Sequence, residues 1–328
     1  MSNGSQSQIN VIVELGFLEK MILYTVSTLP CCVFLFINGT MLFTLRRKTV
    51  FRETSRYILL YNLLFADTVL LVQAQLMYIM AACRITLTYP VCGVFTMLAN
   101  LTTVISPLTL VLMSLERYVA VCYPLRHATI ITIRKTEVAI VVIWAASSLS
   151  ILTRVLLLLN FPFEDLQSLQ MKRFCGKESM LLNPVSDLYD KFNTCCLFVS
   201  AGVAIICSYI GVMVAARSAS TDKASARKAR NTLLLHLVQL GLSLSSTVHN
   251  PVLIAIYKVL DRIIIVRIQI VLYVCIIIFP RCLSSLIYGL RDRTIRPILL
   301  YNLCCQRRRS ISVSVTPGKA KISTCITS

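Results

Sequence analysis

Read for charge alone, the chain separates into long apolar runs divided by short charged segments. Stretches 21–45, 85–115, 138–153, 192–216 and 231–257 hold no Asp, Glu, Lys or Arg. Two more, 57–83 and 268–290, are broken once each, by Asp67 and Arg281. An α-helix rises about 1.5 Å per residue, so about 20 apolar residues cross a hydrocarbon core about 30 Å thick. Six runs meet that length; 138–153 reaches it if Arg154, followed by VLLLLNFPF, snorkels to the boundary. Stretch 85–115 is longer than a span needs, so its start includes a short loop. The pattern predicts an all-α membrane protein with seven transmembrane helices.

Composition agrees: 56% of the 328 residues are hydrophobic and 14% charged, too few charges for a soluble domain of this length. The net charge of +19 raises the question of nucleic acid. No basic soluble domain exists to hold one, because the cations lie between the apolar runs. Lys and Arg concentrate around 46–56, 126–135, 217–230 and 291–321. Those segments share one side if the N-terminus is outside, so the positive-inside rule gives an extracellular N-terminus and a cytosolic C-terminus. The expected organisation is an extracellular tail (1–20), a helix bundle (21–290), and a cytoplasmic amphipathic eighth helix with tail (291–328). Residues 1–20 lack a basic stretch, apolar core and cleavage site in sequence, so no removable signal peptide is expected. Asn3-Gly4-Ser5 is a glycosylation acceptor on the outer side.

The third run ends abruptly at Glu116-Arg117-Tyr118. A guanidinium at a membrane–cytosol boundary is tolerable when a neighbouring carboxylate neutralises it. Paired, it latches a bundle closed; released, it offers a donor fork to an inside partner. Asp67 lies ten residues from the inner end of its span, as Arg281 does from Arg291 and Ser106 from Glu116. All three therefore sit about 15 Å deep in one layer.

The segment MSLERYVAVCYPLRHATI, at 113–130, resembles the end of the third helix in rhodopsin-like G-protein-coupled receptors, and of odorant receptors in particular. YILLYNLLFAD at 57–67 is similar to the second-helix signature, and Asn38 and Trp144 fall at the family's first- and fourth-helix positions. KARNTLLLH at 228–236 and Pro280 with IYGLRD at 287–292 resemble the sixth-helix entry and seventh-helix ending. The chain departs from the pattern in three places. Ser284-Ser285 replaces the seventh-helix Asn-Pro, the sixth helix lacks its central Pro and switch aromatic near Leu244, and the long outer loop carries one Cys.

The resemblance implies a plasma-membrane receptor for a small, mostly uncharged odorant, coupled to a heterotrimeric G protein of the stimulatory, cAMP-raising type. It implies a disulfide between Cys92 and Cys175, with Cys83 as a competitor. Glu116, Arg117, Tyr118, Pro124, Leu125, Tyr209, His236 and Tyr288 are the candidate coupling residues. In related receptors the Asp67 carboxylate belongs to a sodium site; here Arg281 is expected to pair with it and stand in for the ion, with Ser106 in the same layer. Candidate ligand contacts are Ala99, Asn100, Thr103, Val104, Asn193, Thr194, Leu197, Thr247, Val248, Val274 and Ile277, a mostly apolar set. Ala99 stands where amine receptors carry an Asp, and no Lys in the seventh run permits a Schiff base. Cys304 and Cys305 resemble palmitoylation sites that pin the eighth helix to membrane lipid. Arg307–Arg309 before Ser310 and Ser312 marks a kinase or arrestin site, or equally a polybasic anchor.

Three His, with no metal-spaced cluster and no Gly-rich phosphate loop, give no enzyme and no cofactor. The alternatives are a receptor for an internal lipid or peptide mediator, and a small-solute transporter or channel. The second is disfavoured because no pair of interrupted helices repeats in two halves.

Overall fold

The computed structural model describes residues 17–83, 85–159, 175, 184–218, 223–256, 268, 271–291 and 294–303. Among these every element is a helix. The long ones are α1 (Phe17–Arg47), α2 (Ser55–Ala82), α3 (Tyr89–Cys122), α4 (Ile133–Leu159), α5 (Pro184–Ser218) and α6 (Lys223–Ile256). A π-helical turn, Tyr273–Ile278, runs directly into α7 (Phe279–Arg291), and α8 (Ile295–Leu303) follows. Among the described residues α1 to α5 are each long and apolar enough to cross a bilayer. With α6 and the π-turn–α7 rod they form a bundle of seven.

The bundle is apolar on both sides. Val94, Val141, Leu149 and Phe192 point outward and exposed, as helices surrounded by hydrocarbon require. Inside, Leu60, Leu63 and Leu64 of α2, Leu110 and Met113 of α3, and Phe198 and Ile205 of α5 make one core. It extends to Ile295 and Leu299, which seat α8 against Met41 and Leu45 of α1. Gly289 makes that seat possible: a Cβ there would lie 2.4 Å from Leu299 Cδ2. Hydroxyls inside the helices bond back to their own backbone, as Thr44 does to the Thr40 carbonyl and Thr109 to that of Ile105, so no polar atom of theirs faces lipid.

Two sequence expectations change. The fifth helix begins at Pro184, a full two turns before residue 192, so Asp187, Asp190 and Lys191 are helical rather than loop. Pro suits the first turn of a helix, and Asp187 pairs with Lys191 one turn on. Arg154 consequently does not snorkel. It is 7% exposed, forms an ion pair with the equally buried Asp190, and lies 5.5 Å over the Tyr189 ring. A buried guanidinium needs such a partner, and the longer α5 brings one to it.

Candidate functional site

Three places in the bundle hold chemistry. The deepest is the layer of Asp67 and Arg281, 1% and 3% exposed. Arg281 Nη1 lies 3.3 Å from Asp67 Oδ1, and the Ser106 hydroxyl donates to the same oxygen at 2.7 Å. Arg281 Nη2 donates to Ser246 on α6 at 3.3 Å. The Arg281 carbonyl accepts from Asn38 on α1, and the Ser285 hydroxyl donates to the Asn38 side-chain oxygen. One arginine therefore ties helices α1, α2 and α6 to α7, and its partner Asp67 adds α3 through Ser106. A neighbouring amide does the same for α2, α3 and α4: Asn62 donates to Thr109 and accepts from Trp144, both at 2.9 Å.

The second place is the end of the bundle where α3 runs out into the Pro124–Arg126 turn. Glu116 is 6% exposed, and its Oε2 lies 2.9 Å from Arg117 Nε. Beyond the end of α3 a 3-10 turn, Pro124–Arg126, leaves Pro124 exposed and Leu125 97% exposed, an apolar knob with nothing around it. Tyr118 and Tyr209 pack with Val121 around Val212 and Leu233, joining α3, α5 and α6. His236 is buried on α6 one turn further in.

The edge of the Tyr118 ring lies against Gly211, where a Cβ would stand 2.4 Å from Cε2. Gly211→Ala must therefore push the ring off α5. The expected cost is about 1–3 kcal/mol, seen as a lower melting temperature of the purified receptor. Adding Tyr118→Leu should restore most of it; a lower temperature that Tyr118→Leu leaves unmoved would place the strain elsewhere.

The third place is the outer half. Cys92, near the start of α3, is disulfide-bonded to Cys175, while Cys83 is free and exposed. Ala99, Asn100, Thr103 and Val104 of α3 and Thr194 of α5 are half-buried. Asn193 donates to Ser150 on α4 at 3.2 Å, so its amide serves helix packing. Leu197 packs on the main core. Val274 and Ile277 turn toward Cys31 and Leu71 of α1 and α2. Thr247, Val248 and Tyr288 lie on α6 and α7 with side chains outside the described residues, as Asn3, Cys304 and Cys305 lie outside altogether.

The family model for the seven-transmembrane receptor (rhodopsin family) matches residues 22–305. Odorant receptor 131-2 of Danio rerio is 33% identical over 274 residues, covering 83% of each chain. Olfactory receptor 4K15 of Homo sapiens is 25% identical across 90% of this chain and 91% of its own. The chain belongs to the odorant receptors of the rhodopsin family.

In this odorant receptor, two buried polar contacts were not legible in the sequence. Asp190 was hidden because the charges around it read as loop; Pro184 followed by Asp187 was the signal that a helix had begun. The link from Arg281 to Ser246 had no signal, since a serine in an apolar run reads as packing.

Proposed function

We propose that this receptor binds a small, mostly uncharged organic odorant in the outer half of its bundle. Binding then activates a heterotrimeric G protein of the stimulatory type at the cytosolic mouth. The observation that carries the reading is the Glu116–Arg117 pair near the end of α3, followed in the next turn by the exposed Leu125. A neutralised guanidinium and an apolar knob are what an incoming helix needs: a donor fork once released, and a surface to bury. A ligand drives this by binding the open bundle more tightly than the closed one.

Arg281 serves here as the resident cation of Asp67, in place of a dissolved sodium ion. Signalling should accordingly be indifferent to exchanging sodium for potassium or choline. The receptor sits in the plasma membrane with its N-terminus outside, Asn3 glycosylated, and Cys304 and Cys305 acylated. Its serine-bearing tail is the site for a kinase and arrestin.

The test is cAMP accumulation against a panel of small odorants, comparing wild type with Arg117→Ala at matched surface level. The mutant should lose roughly tenfold or more of the response. A response equal to wild type would show that Arg117 plays no part in coupling. Ligand-gated current without G-protein activation would point to a channel.

A further inference from the structure

We infer that the Arg154 Nε–H is the polar anchor of the odorant site, and that it selects neutral carbonyl compounds, ketones and esters, over carboxylates and hydrocarbons. The inference rests on the outer-half binding reading above and names its ligand class. Arg154 sits on α4 one turn inward of Leu158, and the two share a helix face. Leu158 packs with Cys92 and Cys175 at the start of α3. Arg154 therefore lies about 6 Å below that disulfide, while Ala99 stands about 10 Å below it along α3. That is the level of the half-buried α3 and α5 positions from which ligand contact is expected.

The polar groups around the guanidinium are already engaged. Its Nη1 atom donates to Asp190 Oδ1, and its Cζ lies 5.5 Å from the centre of the Tyr189 ring. The Tyr189 hydroxyl is 3.4 Å from that of Ser150, which also accepts from Asn193. The Nε–H is left over. It is buried and has no partner, and it leaves the guanidinium on the side away from Nη1, so the Asp190 contact does not occupy it. A buried N–H without an acceptor is costly, and an acceptor that enters recovers the cost. Ser147, two turns deeper on α4, also carries a buried hydroxyl without a partner. A hydroxyl can rotate toward a carbonyl of its own helix, as Thr109 and Ser208 do, whereas the guanidinium fixes the direction of Nε–H.

The pairing sets the ligand class. Asp190 neutralises Arg154, so the two together hold no net charge. A ketone or ester oxygen gains a charge-assisted hydrogen bond there and brings no charge out of water. A carboxylate entering the same place must shed its water and meet Asp190, a like charge in a medium of low dielectric. A hydrocarbon leaves the N–H as it was.

The experiment uses the full-length receptor in nanodiscs and reads thermal unfolding against methyl ketones and methyl esters, with terminal alkenes and alkanoates of matching chain length. Accumulation of cAMP is measured in cells with the same probes. In wild type the ketones and esters should stabilise at concentrations roughly tenfold or more below those of the alkenes and alkanoates. The double variant Arg154→Gln/Asp190→Asn keeps a neutral hydrogen-bonding pair and strands no charge, so it should fold and bring the ketones to the level of the alkenes. Asp190→Asn alone should move the preference to the alkanoates. A wild-type receptor that does not rank ketones above alkenes overturns the proposal, as does a ranking that survives intact in the double variant. Ketone stabilisation without cAMP would support the anchor and sink the coupling reading. A cAMP response confined to probes without a carbonyl would do the reverse.

Discussion

Asp67→Asn should remove most of the folded receptor from the cell surface, and should do more damage than Arg281→Met. Both residues are almost wholly buried, and each is the other's ion partner at 3.3 Å. Removing one member of such a pair costs about 3–5 kcal/mol, because a charge is left in a medium that cannot solvate it. The two losses differ in what remains. A carboxylate left alone can take up a proton and become neutral, whereas a guanidinium cannot shed one. After Asp67→Asn, Arg281 must therefore keep its charge among helices, facing only neutral acceptors, the new amide oxygen and Ser246. The measurement is surface staining together with thermal unfolding of the purified protein. The order Asp67→Asn below Arg281→Met, with partial recovery in the Asp67→Arg/Arg281→Asp exchange, is expected. Equal and small effects would show that water already solvates the layer.

Cys92→Ser should be the second severe change. The bond to Cys175 closes a stretch of 83 residues and fixes the long outer loop onto the start of α3. Loss of a native disulfide typically costs about 2–5 kcal/mol. Here the loss falls on the outer half, where Cys92 is buried with Leu87, Tyr89 and Leu158. Odorant response should vanish and surface level should drop, and Cys175→Ser should reproduce both effects without adding to them. Cys83→Ser should match wild type. A defect in Cys83→Ser comparable to that of Cys92→Ser would reassign the bond.

Much of this architecture is written in where charge is missing. Lipid demands unbroken apolar runs, so the helices declare themselves by length. The same demand makes any ionisable residue within a run conspicuous, which is how Asp67 and Arg281 stand out. Positions that depend on helix rotation are far less readable. Asn193 and Thr194 are adjacent in sequence, yet only the fold shows that the Asn193 amide is engaged by Ser150. The π-helical turn is invisible as well: Tyr-Val-Cys-Ile-Ile-Ile holds no Gly or Pro to announce it, and only the fold shows Tyr273 and Ile278 packed with Cys31 of α1 and Leu71 of α2. Arg154 illustrates a third kind of loss, where one misplaced helix start conceals a partner across the bundle.

The seventh helix has a mechanical consequence. Ser285 stands where the family resemblance leads one to expect proline, so the backbone N–H absent from a proline is present and the rod gains no bend there. Pro280, buried at the junction with the π turn, becomes the point of compliance. Measured along the helix, Pro280 to Arg291 is an arm of about 16 Å, against about 9 Å from Ser285. For the same angular swing the inner tip sweeps roughly twice the arc. The pivot lies further from the inner tip, and the lever is longer.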